Sequence, residues 1–183
     1  MESFTKGFMM KLLLIVLPLY TITLLASPSS AGEMHMPPYE GSSALKAMKT
    51  LAGTWAGTHI MEGKEMPASV DYKVSSNGSA VVETMFPGTS QEMVTVYHDK
   101  GGKLAMTHYC SVGNQPHLDL VTMEGNILSF SLSSSGNAHL GEEGHMHDLT
   151  VTISDSNHLQ QEWSYFEKGK YGGTTTFTLV RIQ

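Results

Sequence analysis

From Gly53 almost to the last residue, apolar and polar side chains alternate with a period of two. That period places successive side chains on opposite faces of an extended chain. It predicts strands at Gly53–Glu62, Ser69–Ser75, Ala80–Phe86, Glu92–His98, Leu104–Ser111, His117–Met123, Ile127–Ser133, His147–Ser154, Leu159–Phe166 and Thr174–Ile182. Turn-forming runs separate them: Ser76-Asn77-Gly78, Pro87-Gly88-Thr89, Lys100-Gly101-Gly102, Glu124-Gly125-Asn126, Asp155-Ser156-Asn157 and Lys168-Gly169-Lys170. Most links are hairpin-sized; Val112 to Pro116 and the Gly- and Ser-rich 134–144 segment are longer. Before the first strand the period changes. Ser42 suits a helix N-cap, and Ser43 to Leu51 sets Ala44, Leu45, Met48 and Leu51 opposite Lys46 and Lys49. The pattern therefore predicts an all-β domain over residues 42–183, about ten antiparallel strands in up-and-down order with a short N-terminal helix as a lid. A sheet of that length with one apolar face closes on itself and so removes its edges.

The first residues follow another rule. Lys6 and Lys11 precede an apolar run from Leu12 to Ala26, and Ser29-Ser30-Ala31 forms a small-x-small cleavage signal. Residues 1–31 thus read as a signal peptide, with a secreted or periplasmic destination and no membrane attachment after processing. Pro18 interrupts an apolar run already short for a membrane span. Residues 32–41, with Met34-His35-Met36 and Pro37-Pro38, read as a flexible arm.

Composition narrows the chemistry. With 11 Lys and Arg against 17 Asp and Glu, and no basic stripe, nucleic acid is not an expected partner. The single cysteine, Cys110, leaves no intramolecular disulfide, so packing must hold the fold. Thirteen methionines and nine histidines are the compositional oddity, and they bring soft metals into consideration.

Gly53-Thr54-Trp55 at the mouth of the first strand, with Arg181 in the last, resembles the lipocalin and calycin superfamily. There a late arginine lies across the tryptophan and closes the barrel, a cation–π contact. The wider Gly53-x-Trp55-x-Gly57 and the strand count resemble nitrobindin-type and related bacterial lipocalin-like barrels. Secreted bacterial proteins of that type share runs like Glu83-Thr84-Met85-Phe86-Pro87-Gly88-Thr89, His108-Tyr109-Cys110 and Gly113-Asn114-Gln115-Pro116. The resemblance covers about Leu51 to Ile182 and implies an interior that binds a small molecule. Nitrobindin-type barrels hold haem through a histidine near the C-terminus. Here residues 174–183 contain none, and His158 opens the preceding strand. No cofactor follows from the sequence.

Strand parity nominates the interior. Leu104, Met106, His108 and Cys110 share one face; His147 shares one with Leu149, Val151 and Ile153; Glu83 shares one with Val81 and Met85. Glu92 and His98 align with Val94 and Val96. The expected ligand-binding set is therefore Glu83, Glu92, His98, Met106, His108, Gln115, His147 and Glu162, around a small, largely apolar ligand. A second reading makes His108, Cys110 and His147 a zinc or copper site, with His145-Met146-His147 and Met34-His35-Met36 as soft accessory ligands. A third makes His108 and Glu83 the acid–base pair of a hydrolase-like enzyme, or Cys110 a nucleophile beside His108. Opposed to all three, buried histidines are often hydrogen-bonded core residues, and Gln115 can satisfy the backbone of its own loop. Asn77-Gly78-Ser79 matches a glycosylation acceptor and, more simply, a hairpin turn.

Overall fold

The computed structural model describes residues 36–183; the expected signal peptide and Met34-His35 lie outside them. Helix α1 (Ser43–Lys49) precedes ten strands: β1 (Gly53–Met61), β2 (Lys64–Ser75), β3 (Ala80–Met85), β4 (Met93–Lys100), β5 (Lys103–Tyr109), β6 (His117–Glu124), β7 (Ile127–Ser134), β8 (Gly144–Ile153), β9 (His158–Glu167) and β10 (Lys170–Arg181). Each strand pairs antiparallel with its neighbours in sequence, and β1 also pairs with β10, so the sheet is a closed barrel. The closing seam matches Trp55 with Arg181 and Ile60 with Thr176. Closure needs a close approach at Gly57, where a Cβ would lie 2.0 Å from the Thr178 carbonyl oxygen.

One strand starts five residues earlier than the alternation suggests. Pro67 argues against strand there, because proline donates nothing to a ladder. In the barrel, 64–69 pairs with β1 while β3 pairs only from Val70 onward; beyond the Ser69 carbonyl, which accepts from the Phe86 N–H at 2.9 Å, 64–68 has no β3 partner. A proline is tolerated on such an edge.

The alternation of hairpins divides the barrel into two ends. At one end α1 lies against β3, β4 and β5. Ser42 caps it, accepting from the Leu45 N–H at 3.1 Å, and its own hydroxyl and N–H both donate to Asp99 of β4 at 2.7 Å. Leu45, Met48 and Leu51 are fully buried beneath it, as is Trp55, whose indole N–H donates to the Leu51 carbonyl at 2.8 Å. Arg181 lies over Trp55, guanidinium carbon to ring 4.3 Å, and donates to the carbonyls of Ser156, Ala52 and Thr50. This end is sealed. The described part of the arm is tied down beside it: Tyr39 N–H donates to the Asn77 carbonyl at 2.8 Å, and the Asn77 amide donates to that of Pro37 at 2.9 Å. Asn77 itself makes the turn, at φ 52°.

The interior next to the lid is filled. Tyr97, Leu104, Met106, Leu118, Leu128, Phe130, Leu149 and Val151 form one apolar cluster with the helix residues. A larger space remains toward the other end.

Candidate functional site

A cavity of about 710 Å³ opens at the end opposite α1. Its rim comes from the β1–β2 turn (Met61, Glu62, Gly63), Gln91 before β4, and Cys110, Ser111 and Val112 after β5. Its walls carry five methionines, Met61, Met66, Met85, Met93 and Met146. They also carry an aromatic group in which His59 stacks on Phe177 at 5.2 Å and meets Phe86 edge-on at 5.3 Å. Trp163 also lines the chamber, 4.7 Å from the His108 ring. Two bulges shape this end: one at Tyr171/Gly173 puts Gly172 and Gly173 on the wall, and one at Met146/Asp148 turns Met146 into it. Among the lining residues the only formal charge is Glu62 at the rim, and there is no lysine or arginine.

Beneath the cavity runs a buried polar network. Register places Thr95 opposite both Glu83 and His108, and Tyr72 opposite Glu83. Glu83, fully buried, accepts from Tyr72 Oη at 3.0 Å, Tyr97 Oη at 2.7 Å and Gln161 Nε2 at 2.5 Å. Gln161 also donates to the Tyr72 oxygen and accepts from the Trp163 indole at 3.2 Å. Burial pushes the Glu83 carboxyl above its ordinary range, against the pull of its donors, Gln161, Tyr97, Tyr72 and Thr95. Burial first, then the Glu83 charge, drives the Tyr72 and Tyr97 phenols well above theirs. These phenols stay protonated and act as fixed donors.

His108 joins the network to the cavity. Its Nδ1 lies 2.9 Å from Thr95 Oγ1, and its Nε2, on the far side of the ring, is buried without a partner. Thr95 sits between His108 and Glu83 in the register of β3, β4 and β5. The neutral imidazole carries one proton, so one ring nitrogen meets Thr95 and the other is left unpaired. Burial holds the His108 pKa down at about 4, so the ring is neutral near pH 7. His59 contributes a second unpartnered buried nitrogen, Nδ1, on the opposite wall.

The residues nominated from the sequence divide sharply. His108 and Cys110 line the cavity. Met106 packs below it and Glu83 lies within the network beneath its wall. Met85 and Tyr97 are also buried, yet the void persists above them. The fourth strand is turned opposite to the parity reading: Thr95 and Tyr97 are buried, while Val94 and Val96 are only partly covered and His98 is exposed. Glu92 is exposed before the strand and accepts from the Gly88 N–H at 2.6 Å; its neighbour Gln91 reaches the cavity instead. Glu162 is exposed, since Gln161 and Trp163 take the inward positions of β9. Gln115 donates to the Gly113 carbonyl at 3.1 Å within its own loop. His147 is displaced by the bulge in β8, stacks on Phe166 at 4.1 Å and pairs with Asp148 at 3.1 Å, outside the cavity.

These placements bear on the chemistry. His108 and Cys110 are not joined by His147, and among the described residues no three His, Cys, Asp or Glu side chains converge on a common metal position. His108 and Glu83 do not touch; Thr95 stands between them, and Glu83 is off the cavity wall. Gln161, Thr95 and His59 were not nominated. Parity from Trp55 through Gly57 carries directly to His59, and a buried Glu83 demands donors on the strands beside it, which are the two signals that find them.

A closed antiparallel β-barrel with a chamber open at one end defines an architecture compatible with ligand binding. No protein-family model matches the sequence and no curated protein matches it. Among solved structures, a protein of unknown function from the DUF3598 family of Nostoc punctiforme shares 9% identity, covers 77% of this chain and 100% of its own, and superimposes with a TM-score of 0.24.

Proposed function

We propose that this protein is an exported, lipocalin-like carrier that holds one small, largely apolar molecule in the barrel. The supporting observation is the chamber itself: about 710 Å³, closed at the α1 end and lined by five thioethers and the rings of Phe86, Phe177 and Trp163. That volume falls in the range of ordinary small-molecule sites. Affinity comes from removing apolar surface from water, at about 25 cal/mol per Å². The methionines add adaptability, because an unbranched thioether refits around ligands of different outline.

The test is to purify the mature protein from an exporting host, record its native mass, and extract it with organic solvent. A bound compound that returns to the stripped protein at one per chain supports the reading. Thr175→Trp places an indole at the cavity wall and must abolish that rebinding while leaving the circular dichroism spectrum unchanged. A chamber that takes up no apolar compound, in protein shown to be folded, refutes it.

A further inference from the structure

A second chemistry stands on the chamber wall, in a row of sulfur atoms that the carrier reading does not use. We propose that Met85, Met93 and Cys110 form a binding site for one monovalent soft metal ion, Cu(I) or Ag(I), on the inner face of β3, β4 and the end of β5. The set differs from the zinc or copper site expected from the sequence, because no histidine belongs to it.

The geometry comes from register. Met85 is the cross-strand partner of Met93. Val94 faces Tyr109 on β5, and one further step along that ladder puts Cys110 across from Met93. No shift interrupts either ladder, so the three side chains lie in one row on one face, and all three line the chamber. The row is one inward position nearer the mouth than Glu83, Thr95 and His108, which the same ladders align. Directly opposed residues on one face hold their Cβ atoms about 5 Å apart. Met93 is the middle member, and the concave inner wall of a closed barrel tilts its two neighbours toward it. The unbranched thioethers have the torsional freedom to meet an ion there. Met85 is buried, whereas Met93 and Cys110 are partly exposed, so an ion arriving through the mouth reaches the row.

The ligand types choose the ion. Thioether and thiolate sulfur are soft donors that favour Cu(I) and Ag(I) over oxygen-seeking cations. Charge then fixes the valence. As the Cys110 sulfur binds, its proton leaves to solvent, and one thiolate with two neutral thioethers balances an ion of charge +1. A divalent ion would leave a net positive charge in a chamber whose lining carries a formal charge only at Glu62, on the rim.

The test is anaerobic titration of the full mature chain, its thiol reduced, with Cu(I) against bicinchoninate as a competing chelator. One ion per chain is expected, with one proton released as it binds, and X-ray absorption should show a shell of sulfur alone. Ag(I) displaces the ion and Zn(II) does not. Cys110→Ser weakens binding about a hundredfold, and Met93→Leu, which conserves volume, weakens it about tenfold. Met123→Leu, on β6 and outside the chamber, changes nothing. Circular dichroism checks that each variant is folded. A Cu(I) affinity unchanged by either Cys110→Ser or Met93→Leu overturns the site, as does nitrogen in the shell. Folded, reduced wild type that takes no Cu(I) from the chelator overturns it as well. None of these results bears on extraction and rebinding of an apolar compound, so the carrier reading and the metal site stand or fall separately.

Discussion

The buried His108 ring makes the protein's stability depend on pH in a way that one substitution isolates. Its folded pKa is about 4, against an ordinary imidazole value of about 6.5 when the chain unfolds. Between these values the unfolded chain binds a proton that the native protein refuses, so stability falls as pH falls and is regained above the unfolded value. Two and a half units at about 1.4 kcal/mol each cap the effect near 3 kcal/mol, with roughly 2 kcal/mol lost between pH 7 and pH 5. Glu83 works in the opposite sense: its raised pKa means that the native state takes up a proton before the unfolded one as pH falls. Burial lowers His145 as well, which adds a slope of the same sign as that of His108. A single protein therefore shows a mixture. His108→Gln keeps a polar side chain against Thr95 but removes the titration, and the difference between wild type and variant leaves the His108 part. Urea unfolding at the two pH values measures it. The wild type should lose about 2 kcal/mol more than His108→Gln on going from pH 7 to pH 5. Equal losses in the two proteins would mean that the imidazole is solvated or charged in the native state, which would refute its burial beneath the chamber.

Three further substitutions probe the frame. Gly57→Ala drives a methyl into the Thr178 carbonyl across the β1–β10 seam, where backbone cannot yield cheaply; a loss of roughly 3 kcal/mol in denaturant unfolding is expected, and a neutral result would show that the seam is looser than it is drawn. Arg181→Ala removes the stack on Trp55 and three hydrogen bonds to carbonyls; it should cost about 2 kcal/mol, with Arg181→Lys recovering less than half because an ammonium neither stacks nor forks. Glu83→Leu strips the acceptor from Tyr72, Tyr97 and Gln161 and should cost roughly 4 kcal/mol, while Glu83→Gln, which retains one carbonyl acceptor, costs about half that. A Glu83→Leu protein as stable as the wild type would show the network to be dispensable.

Alternation and turn chemistry made the barrel readable because each depends on neighbours a few residues apart. All ten strands, the helix and the hairpin order follow from such local rules, and the errors lie where a local rule met a distant partner. Strand β2 runs back through Pro67 because 64–68 pairs with β1 alone, β3 pairing only from Val70. In β4, Val94 and Val96 drew the inward assignment by their hydrophobicity. Branched side chains suit either face of a sheet, and Thr95 and Tyr97 turn inward to bond His108 and Glu83. In β8 one bulge beside His147 shifts the phase, and no residue type announces it.

Those misassignments share a cause that also explains the site. Sequence parity asks which face is oily, but the interior near the cavity is selected by hydrogen-bond demand. Glu83 supplies a buried carboxylate; Tyr72 on β2, Tyr97 on β4 and Gln161 on β9 point inward to donate to it, and Thr95 on β4 points inward beside them to bond His108. The donors to Glu83 come from different strands, so the network ties the sheet across its ladder. Remove the carboxylate and the reason for three inward polar groups goes with it. His108, buried against Thr95 at the chamber's wall, is thus held from below by a network whose carboxylate does not line the chamber.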